Sequence, residues 1–235
     1  MAVAMVTGAA QGIGADASVR LAEHGMDVAV LGADEAAHAD TVRRIAETGR
    51  RCVFVAADVA DAGAVDLALT RVRSELGEPG VLLNCVGAVD RGPLRELSDQ
   101  DWTEAVGGPL RGVFVTSRAV VDPMIKNGGG RILVLADVAG GDRPSAARNS
   151  VVETGLAGFT RTLAMELRPF GITANVIAPE ASATDLTAAA AAAGGAGGGS
   201  AYAAGALDAV RFLVGAEASA VSGQIVHVAM TARRP

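Results

Sequence analysis

Short runs of β-branched residues alternate with longer, alanine-rich stretches along almost the whole chain. Each short run has the length of a buried strand, and each longer stretch has the apolar spacing of an amphipathic helix. The predicted strands are 3–7, 28–31, 53–56, 81–84, 132–135, 173–177 and 224–228. The predicted helices are 15–23, 36–47, 64–76, 101–124, 151–167 and 206–214. Regular alternation of strand and helix predicts an α/β fold with a doubly wound parallel sheet and helices on both faces.

Composition limits both the core and the partners. Half of the 235 residues are hydrophobic but only 3% are aromatic, so the core must consist mainly of Ala, Val and Leu. This length suits one domain over 1–235. The net charge of −6 provides no basic surface for nucleic acid, and the apolar start at 1–6 is too short to span a membrane. We therefore predict a cytoplasmic protein with no nucleic-acid partner, no membrane partner and, because its Cys and His residues are dispersed, no metal site.

One segment interrupts the alternation. Six alanines at 188–193 are followed by a glycine-rich run to Ser200. Glycine adds backbone entropy and contributes no side chain to packing. We expect the segment 187–204 to be a disordered lid without catalytic groups.

A glycine motif, TGAAQGIG at 7–14, follows the first predicted strand and opens the first predicted helix. In this position glycines allow a tight turn and let a pyrophosphate approach the N-H groups of the helix N-terminus. The alternative is a glycine turn that serves only strand-to-helix packing. Further motifs in register with it favour a nucleotide site.

These motifs together resemble the short-chain dehydrogenase/reductase family, of the acyl-carrier-protein ketoreductase type. They are 7–14, Asp58-Val59, NCVG at 84–87, GVF at 112–114, GFT at 158–160 and GITANVIAP at 171–179. The resemblance covers nearly the whole chain and implies a Rossmann-type, three-layer α/β/α single domain. It also implies a dinucleotide site made of Gly8, Gln11, Gly12, Ile13, Gly14, Asp58, Val59, Asn84 and Gly87.

The end of the second strand departs from the family pattern. The family places an Asp there for the ribose hydroxyls of NAD, or a nearby Arg for the NADP phosphate, whereas this chain has Gly32 and Ala33. Gln11 stands where NADP-preferring members often carry a basic residue, and Asp34 is a substitute acid or simply a solvated one. We expect NAD(H) to bind weakly and NADP(H) to be less favoured, with an empty site as the alternative.

The catalytic positions depart further. The family uses an Asn, a Ser and a Tyr-x-x-x-Lys pair, whereas this chain has one tyrosine, Tyr202, and one lysine, Lys126. The resemblance places the Asn and Ser positions at Pro109 and Asp137. The Tyr and Lys positions fall at Asn149 and Glu153, or at Ser150 and Thr154 in the alternative register. Glu180 adds a further acid, so we take Asp137, Asn149 and Glu153, with Pro109 and Glu180, as the candidate catalytic residues.

Three hypotheses follow from these residues. In the first, a non-catalytic homologue acts as partner subunit in a homo- or hetero-oligomer, pairing through the helices 101–124 and 151–167 with a second copy or with an active reductase. In the second, Asp137, Glu153 and Glu180 support cyclase, dehydratase or aldol-type acid-base chemistry, unless they pair with Arg111, Arg143 or Arg148. In the third, an atypical NAD(P)-dependent oxidoreductase uses another proton donor. The three histidines of the chain, His24, His38 and His227, are expected to lie away from the cleft. Tyr202 could reach the cleft from the lid, but no lysine would lie beside it.

Overall fold

The computed structural model of this chain describes residues 2–87, 94–136, 147–180 and 199–229. Seven strands and six longer helices follow one another in near-perfect alternation through this part of the chain. The strands are β1 (Val3–Thr7), β2 (Asp27–Gly32), β3 (Cys52–Ala56), β4 (Pro79–Val86), β5 (Gly130–Ala136), β6 (Ile172–Glu180) and β7 (Ile225–Ala229). The helices are α1 (Gly12–Glu23), α2 (Glu35–Glu47), α3 (Ala62–Glu75), α4 (Asp99–Lys126), α5 (Ala147–Leu167) and α6 (Gly199–Val214).

The strands form one sheet in the order β3-β2-β1-β4-β5-β6-β7, and every neighbouring pair is parallel. The chain order reverses direction between β1 and β4. In doubly wound sheets, ligands bind at the carboxyl ends of the strands beside such a reversal. The predicted fold class is therefore confirmed, and the topology points to the end of β1 as the place to look for a site.

Alternating side chains of each strand pack into the two helical layers. On β1, Ala4 and Val6 face the layer of α1, α2 and α6, whereas Val3 and Met5 face the layer of α3, α4 and α5. These strand residues are buried almost completely, as expected for a parallel sheet covered on both faces. The Ala- and Val-rich composition suits this packing, because small side chains let the helices lie close to the sheet.

Local sequence signals explain where the helices begin. Asp34 and Asp61 cap α2 and α3 by accepting hydrogen bonds from the backbone N-H groups of Ala36 and Ala64, at 2.9 and 2.8 Å. At α4, Ser98 and Asp101 form a reciprocal capping box. Helix α6 begins at Gly199, inside the segment 187–204 that the sequence analysis assigned to the lid, and 187–198 lies outside the described residues.

Candidate nucleotide-binding and active site

The loop between β1 and α1 is pressed against the end of β4. Gly8 has φ 68°, and a Cβ atom at this position would overlap the carbonyl oxygen of Cys85. A Cβ atom on Gly14 would in turn overlap the carbonyl oxygen of Gly8. Larger residues at these two positions would push the loop away from the sheet, so the glycines fix the position of the N-terminus of α1.

The N-terminus of α1 is free to receive an anion. Its N-cap residue, Gln11, makes no side-chain capping hydrogen bond, and the first turn contains no acidic residue. The first N-H groups of a helix have no partners within the helix, and the helix dipole adds partial positive charge at this end. The local chemistry therefore fits a phosphate or pyrophosphate group.

A pocket of about 590 Å³ opens beside this helix end. Its walls come from the β1–α1 loop, the carboxyl end of β2, the segment after β3 and the end of β4. Six residues of the predicted dinucleotide site line it, namely Gly8, Gln11, Gly12, Asp58, Val59 and Gly87. Its other lining residues are Ala10, Leu31, Gly32, Ala33, His38, Ala57 and Cys85. The structure thus brings most of the predicted nucleotide residues together around one cavity.

The other three predicted residues support the pocket from below. Gly14 is buried, and Ile13 packs against the core beneath α1. Asn84 is 1% exposed, and its Oδ1 accepts hydrogen bonds from Thr7 Oγ1 at 3.1 Å and Thr116 Oγ1 at 2.9 Å. Among the described residues its Nδ2 has no hydrogen-bond partner. Both N-H donors of this buried amide are therefore left for water or a ligand group at the end of β4.

The pocket carries little positive charge. No Arg or Lys occurs among its described lining residues. On the neighbouring helix α2, Arg43 pairs with Asp40 and Glu47, and Arg44 pairs with Asp16 of α1 at 2.7 Å. Burial raises the pKa of the Cys85 thiol to about 12, so this group is uncharged at neutral pH. Binding of an anion therefore depends on the backbone N-H groups of α1.

The candidate catalytic positions lie on and around α4 and α5. Pro109 is half-buried within α4, and Glu153 is half-buried in α5. The two helices approach closely nearby, because a Cβ atom on Gly155 would lie 3.0 Å from Leu110 Cδ2. Arg111, a suggested partner for the acids, donates from Nε to the carbonyl oxygen of Ala60 at 2.8 Å.

Several of these positions fall beyond what the structure describes. Asn149 lies in the first turn of α5 and Glu180 ends β6, but the side chains of both residues lie outside the part of the chain that the structure describes. Asp137 and Arg143 lie outside the described residues, as does the side chain of Arg148. A convergence of Asp137, Glu153 and Glu180 therefore stays a prediction.

One residue that lines the nucleotide pocket was predicted to lie away from it. His38 was expected to fall away from the cleft, yet it lines the pocket from α2. The helical spacing of the buried residues His38, Thr41 and Ile45 was the signal that could have found it, since residues three and seven positions apart share one helix face.

Comparison with known proteins places this fold and site in a family. The model of the short chain dehydrogenase family matches residues 2–194, so the chain belongs to that family. Its relatives include NovK of Streptomyces niveus, a short-chain dehydrogenase/reductase family member, at 38% identity over 99% of this chain and 97% of that protein. They also include the 3-oxoacyl-[acyl-carrier-protein] reductase FabG of Escherichia coli K12, at 31% identity over 96% and 95%.

Solved structures agree with this assignment. A variant of the actinorhodin polyketide ketoreductase with NADPH superposes with a TM-score of 0.83, at 27% identity over 97% of this chain and 96% of that one. No helix of the described ranges is long and apolar enough to cross a membrane.

These comparisons contradict the first hypothesis from the sequence. Relatives that align with nearly the whole chain are named as reductases, so the prediction of a non-catalytic partner subunit is wrong. That prediction rested on the four catalytic positions, the featureless lid and the altered end of the last strand, whereas the glycine loop, the pocket and the sheet topology of the family are retained. The same names describe redox enzymes and therefore also count against cyclase, dehydratase or aldol chemistry.

Proposed function

We propose that this protein is an NAD(P)(H)-dependent oxidoreductase that interconverts a carbonyl group and an alcohol. The observation that carries the proposal is the uncapped N-terminus of α1, held by Gly8 and Gly14 at the edge of a pocket beside the reversal of strand order. The backbone N-H groups of this helix would hold the pyrophosphate, and Asp58 and Val59 would flank the adenine. When bound, the nicotinamide supplies or accepts the hydride.

The charge of the pocket favours NAD(H) over NADP(H). The 2'-phosphate of NADP(H) adds negative charge, and no cationic side chain among the described lining residues would offset it. Asp58 at the pocket adds a carboxylate. Since backbone N-H groups provide most of the attraction, we expect modest affinity for NAD(H) and weaker affinity for NADP(H).

Proton transfer must differ from that of the Tyr-x-x-x-Lys pair. The sequence contains one tyrosine, Tyr202, and one lysine, Lys126, which do not have the four-residue spacing of that pair. Lys126 is an exposed residue at the end of α4. We propose that the proton reaches the alkoxide from another acid or from water. The name of the relative FabG, a 3-oxoacyl-[acyl-carrier-protein] reductase, favours a 3-oxoacyl group as the substrate class, and we propose that a thioester carries it.

Calorimetric titration of the purified protein with NADH and NADPH tests this function. Gly12→Glu should abolish binding, because it places a carboxylate at the N-terminus of α1 where the phosphates would lie. Gly49→Glu is the matched control, since Gly49 has φ 79° and open space around it as Gly12 does, but it follows α2 instead of lining the pocket.

Turnover is then followed as oxidation of NADH with acetoacetyl-CoA as the 3-oxoacyl thioester. Saturable binding that Gly12→Glu removes and Gly49→Glu retains, together with NADH oxidation, would support the proposal. Absence of binding at millimolar NADH and NADPH would refute it.

A second proposal concerns assembly. We propose that two copies of the chain associate through α4 and α5, whose outer surfaces expose large apolar side chains. The cytoplasmic location likewise stays a prediction.

A further inference from the structure

His38 occupies a defined orientation at the edge of the nucleotide pocket. The residue is 6% exposed, and its ring lies 5.2 Å from the ring of Phe54, centroid to centroid. Its Nδ1 is 2.6 Å from the carbonyl oxygen of Asp34. A carbonyl oxygen can only accept, so Nδ1 carries the hydrogen of this bond. In the uncharged imidazole, Nε2 is then a hydrogen-bond acceptor.

This acceptor is available to a ligand. Within the described part of the chain, Nε2 of His38 has no hydrogen-bond partner, and the residue lines the pocket. Nε2 is not one of the fully buried polar atoms that lack a partner, so it is accessible from the pocket, and a ligand hydroxyl at this place would replace water as its hydrogen-bond donor.

The ring fills the space that a side chain on the last residue of β2 would occupy. A Cβ atom on Gly32 would lie 2.5 Å from His38 Nε2 and 3.2 Å from Nδ1, and closer still to Cε1. Gly32 also stands about 20 residues after the glycine motif, where dinucleotide-binding folds use an acidic residue to accept a hydrogen bond from the ribose 2'-hydroxyl. In this protein the imidazole of His38, from α2, occupies the space where a side chain at that position would begin.

Other contacts already hold α2 in place. The Asp34 side chain caps the helix, and Thr41 Oγ1 donates to the carbonyl oxygen of Ala9 at 2.8 Å, which ties α2 to the glycine loop. The hydrogen bond from His38 to Asp34 lies within the same helix end and adds no further tie between elements. A role for His38 in anchoring α2 therefore leaves its pocket-facing Nε2 unexplained.

We propose that Nε2 of His38 accepts a hydrogen bond from the adenosine ribose 2'-hydroxyl and thereby selects NAD(H) over NADP(H). The proposal rests on the proposed function. A 2'-hydroxyl has a hydrogen to donate to Nε2, whereas an ionised 2'-phosphate offers only acceptor oxygens and would face another acceptor. His38 is thus a specificity-determining residue that acts on the cofactor and takes no part in hydride transfer.

The test is a comparison of three ligands by calorimetry on the purified protein: NADH, NADPH, and NADH whose adenosine lacks the 2'-hydroxyl. Wild-type protein should bind NADH about fivefold more tightly than the 2'-deoxy analogue, the net value of one hydrogen bond that replaces a hydrogen bond to water. His38→Phe retains a ring against Phe54 but has no acceptor, so NADH and the 2'-deoxy analogue should bind equally. His38→Gln offers an amide oxygen as acceptor and should recover part of the difference, whereas His24→Gln, an exposed residue after α1, should leave all three affinities unchanged.

The outcomes separate this proposal from the proposed function. NADH binding with the same affinity for the 2'-deoxy analogue in wild-type protein would overturn the role of His38 and leave the oxidoreductase intact. An equal loss for NADH and its analogue in His38→Phe would show a structural role and would overturn the proposal as well. Absence of binding of all three ligands would overturn both. Because the wild-type comparison needs no variant, a variant that fails to fold does not remove the test.

Discussion

Among single residues, the two cysteines are expected to have the largest effect on stability at alkaline pH. Burial raises the pKa of Cys52 to about 11 and that of Cys85 to about 12, from an ordinary value of 9.0. The unfolded chain therefore loses these protons first as pH rises, so the stability they contribute is complete below about pH 9 and is lost as pH rises through 11 and 12. With one lysine and one tyrosine in the sequence, few other groups titrate in this window.

We predict that the free energy of unfolding falls from about pH 9 upward in wild-type protein and falls less steeply in Cys52→Ala/Cys85→Ala. Alanine at 85 keeps both the backbone carbonyl group against which Gly8 is pressed and the Cβ atom, so the glycine loop should remain in place. Urea unfolding curves recorded between about pH 8 and pH 11 measure the two slopes. Parallel slopes in the two proteins would show that the thiols do not cause the loss.

At the scale of elements, β2 is held at its start by a buried ion cluster. Asp27 is 1% exposed and accepts hydrogen bonds from Arg51 Nη2 at 2.6 Å, Arg51 Nε at 2.9 Å and Arg50 Nη2 at 2.6 Å. Burial alone raises the pKa of Asp27, but hydrogen bonds from Arg51 and the charges of both arginines outweigh it and lower the pKa below its usual value. The unfolded chain thus takes up this proton first as pH falls, and the stabilisation is present above about pH 4 and lost in acid.

We predict that Asp27→Asn lowers the free energy of unfolding by about 2 kcal/mol at neutral pH, because it weakens the charged hydrogen bonds that Arg50 and Arg51 donate to this buried side chain. The difference from wild type should shrink at about pH 3, because the unfolded wild-type chain takes up this proton there whereas the folded carboxylate takes it up only in stronger acid. Urea unfolding at the two pH values measures it. Asp40→Asn is the control, since Asp40 pairs with Arg43 on the surface of α2 and should change stability by less than about 1 kcal/mol. A loss that is equal for the two variants would contradict the buried-cluster argument.

The same strand shows how far sequence could predict this protein. Its β-branched pattern and the alanine-rich pattern of the next segment predicted β2 and α2 to within a residue or two, because alternation and amphipathicity are local. The resemblance to the family also assigned Gly8, Gly12 and Asp58 to one site, and these residues line one pocket because a parallel sheet brings the carboxyl ends of its strands together. Helical spacing places His38 on the buried face of α2, but it was missed because that spacing does not show that this face packs over Gly32 at the pocket. Helix α1 begins at Gly12, three residues before the predicted start, because the glycine motif itself forms the first turn.

At the scale of the whole molecule, the exposed apolar side chains are concentrated on α4 and α5. These helices carry four of the eight large hydrophobic side chains that are exposed in the described ranges, namely Trp102, Phe114, Val151 and Met165. Phe114 of α4 lies 6.4 Å from Phe159 of α5, ring to ring, so the two helices share a continuous surface. Clustered apolar side chains on paired long helices favour a two-fold interface between copies of one chain, because the same surface then buries itself on both subunits.

We predict that wild-type protein is a dimer or a higher two-fold oligomer and that Phe114→Glu dissociates it, because the carboxylate would be buried without a partner across the interface. Within one subunit, the Arg118 guanidinium lies 5.3 Å from the centre of the Phe114 ring and can pair with the new glutamate, so the monomer should remain folded. Sedimentation velocity measures the assembly, and NADH titration shows whether the nucleotide pocket is intact in the variant. Leu67→Glu is the control, since Leu67 is 75% exposed on α3 and its substitution should leave the oligomer unchanged. A wild-type monomer, or equal dissociation by the two substitutions, would refute assembly through α4 and α5.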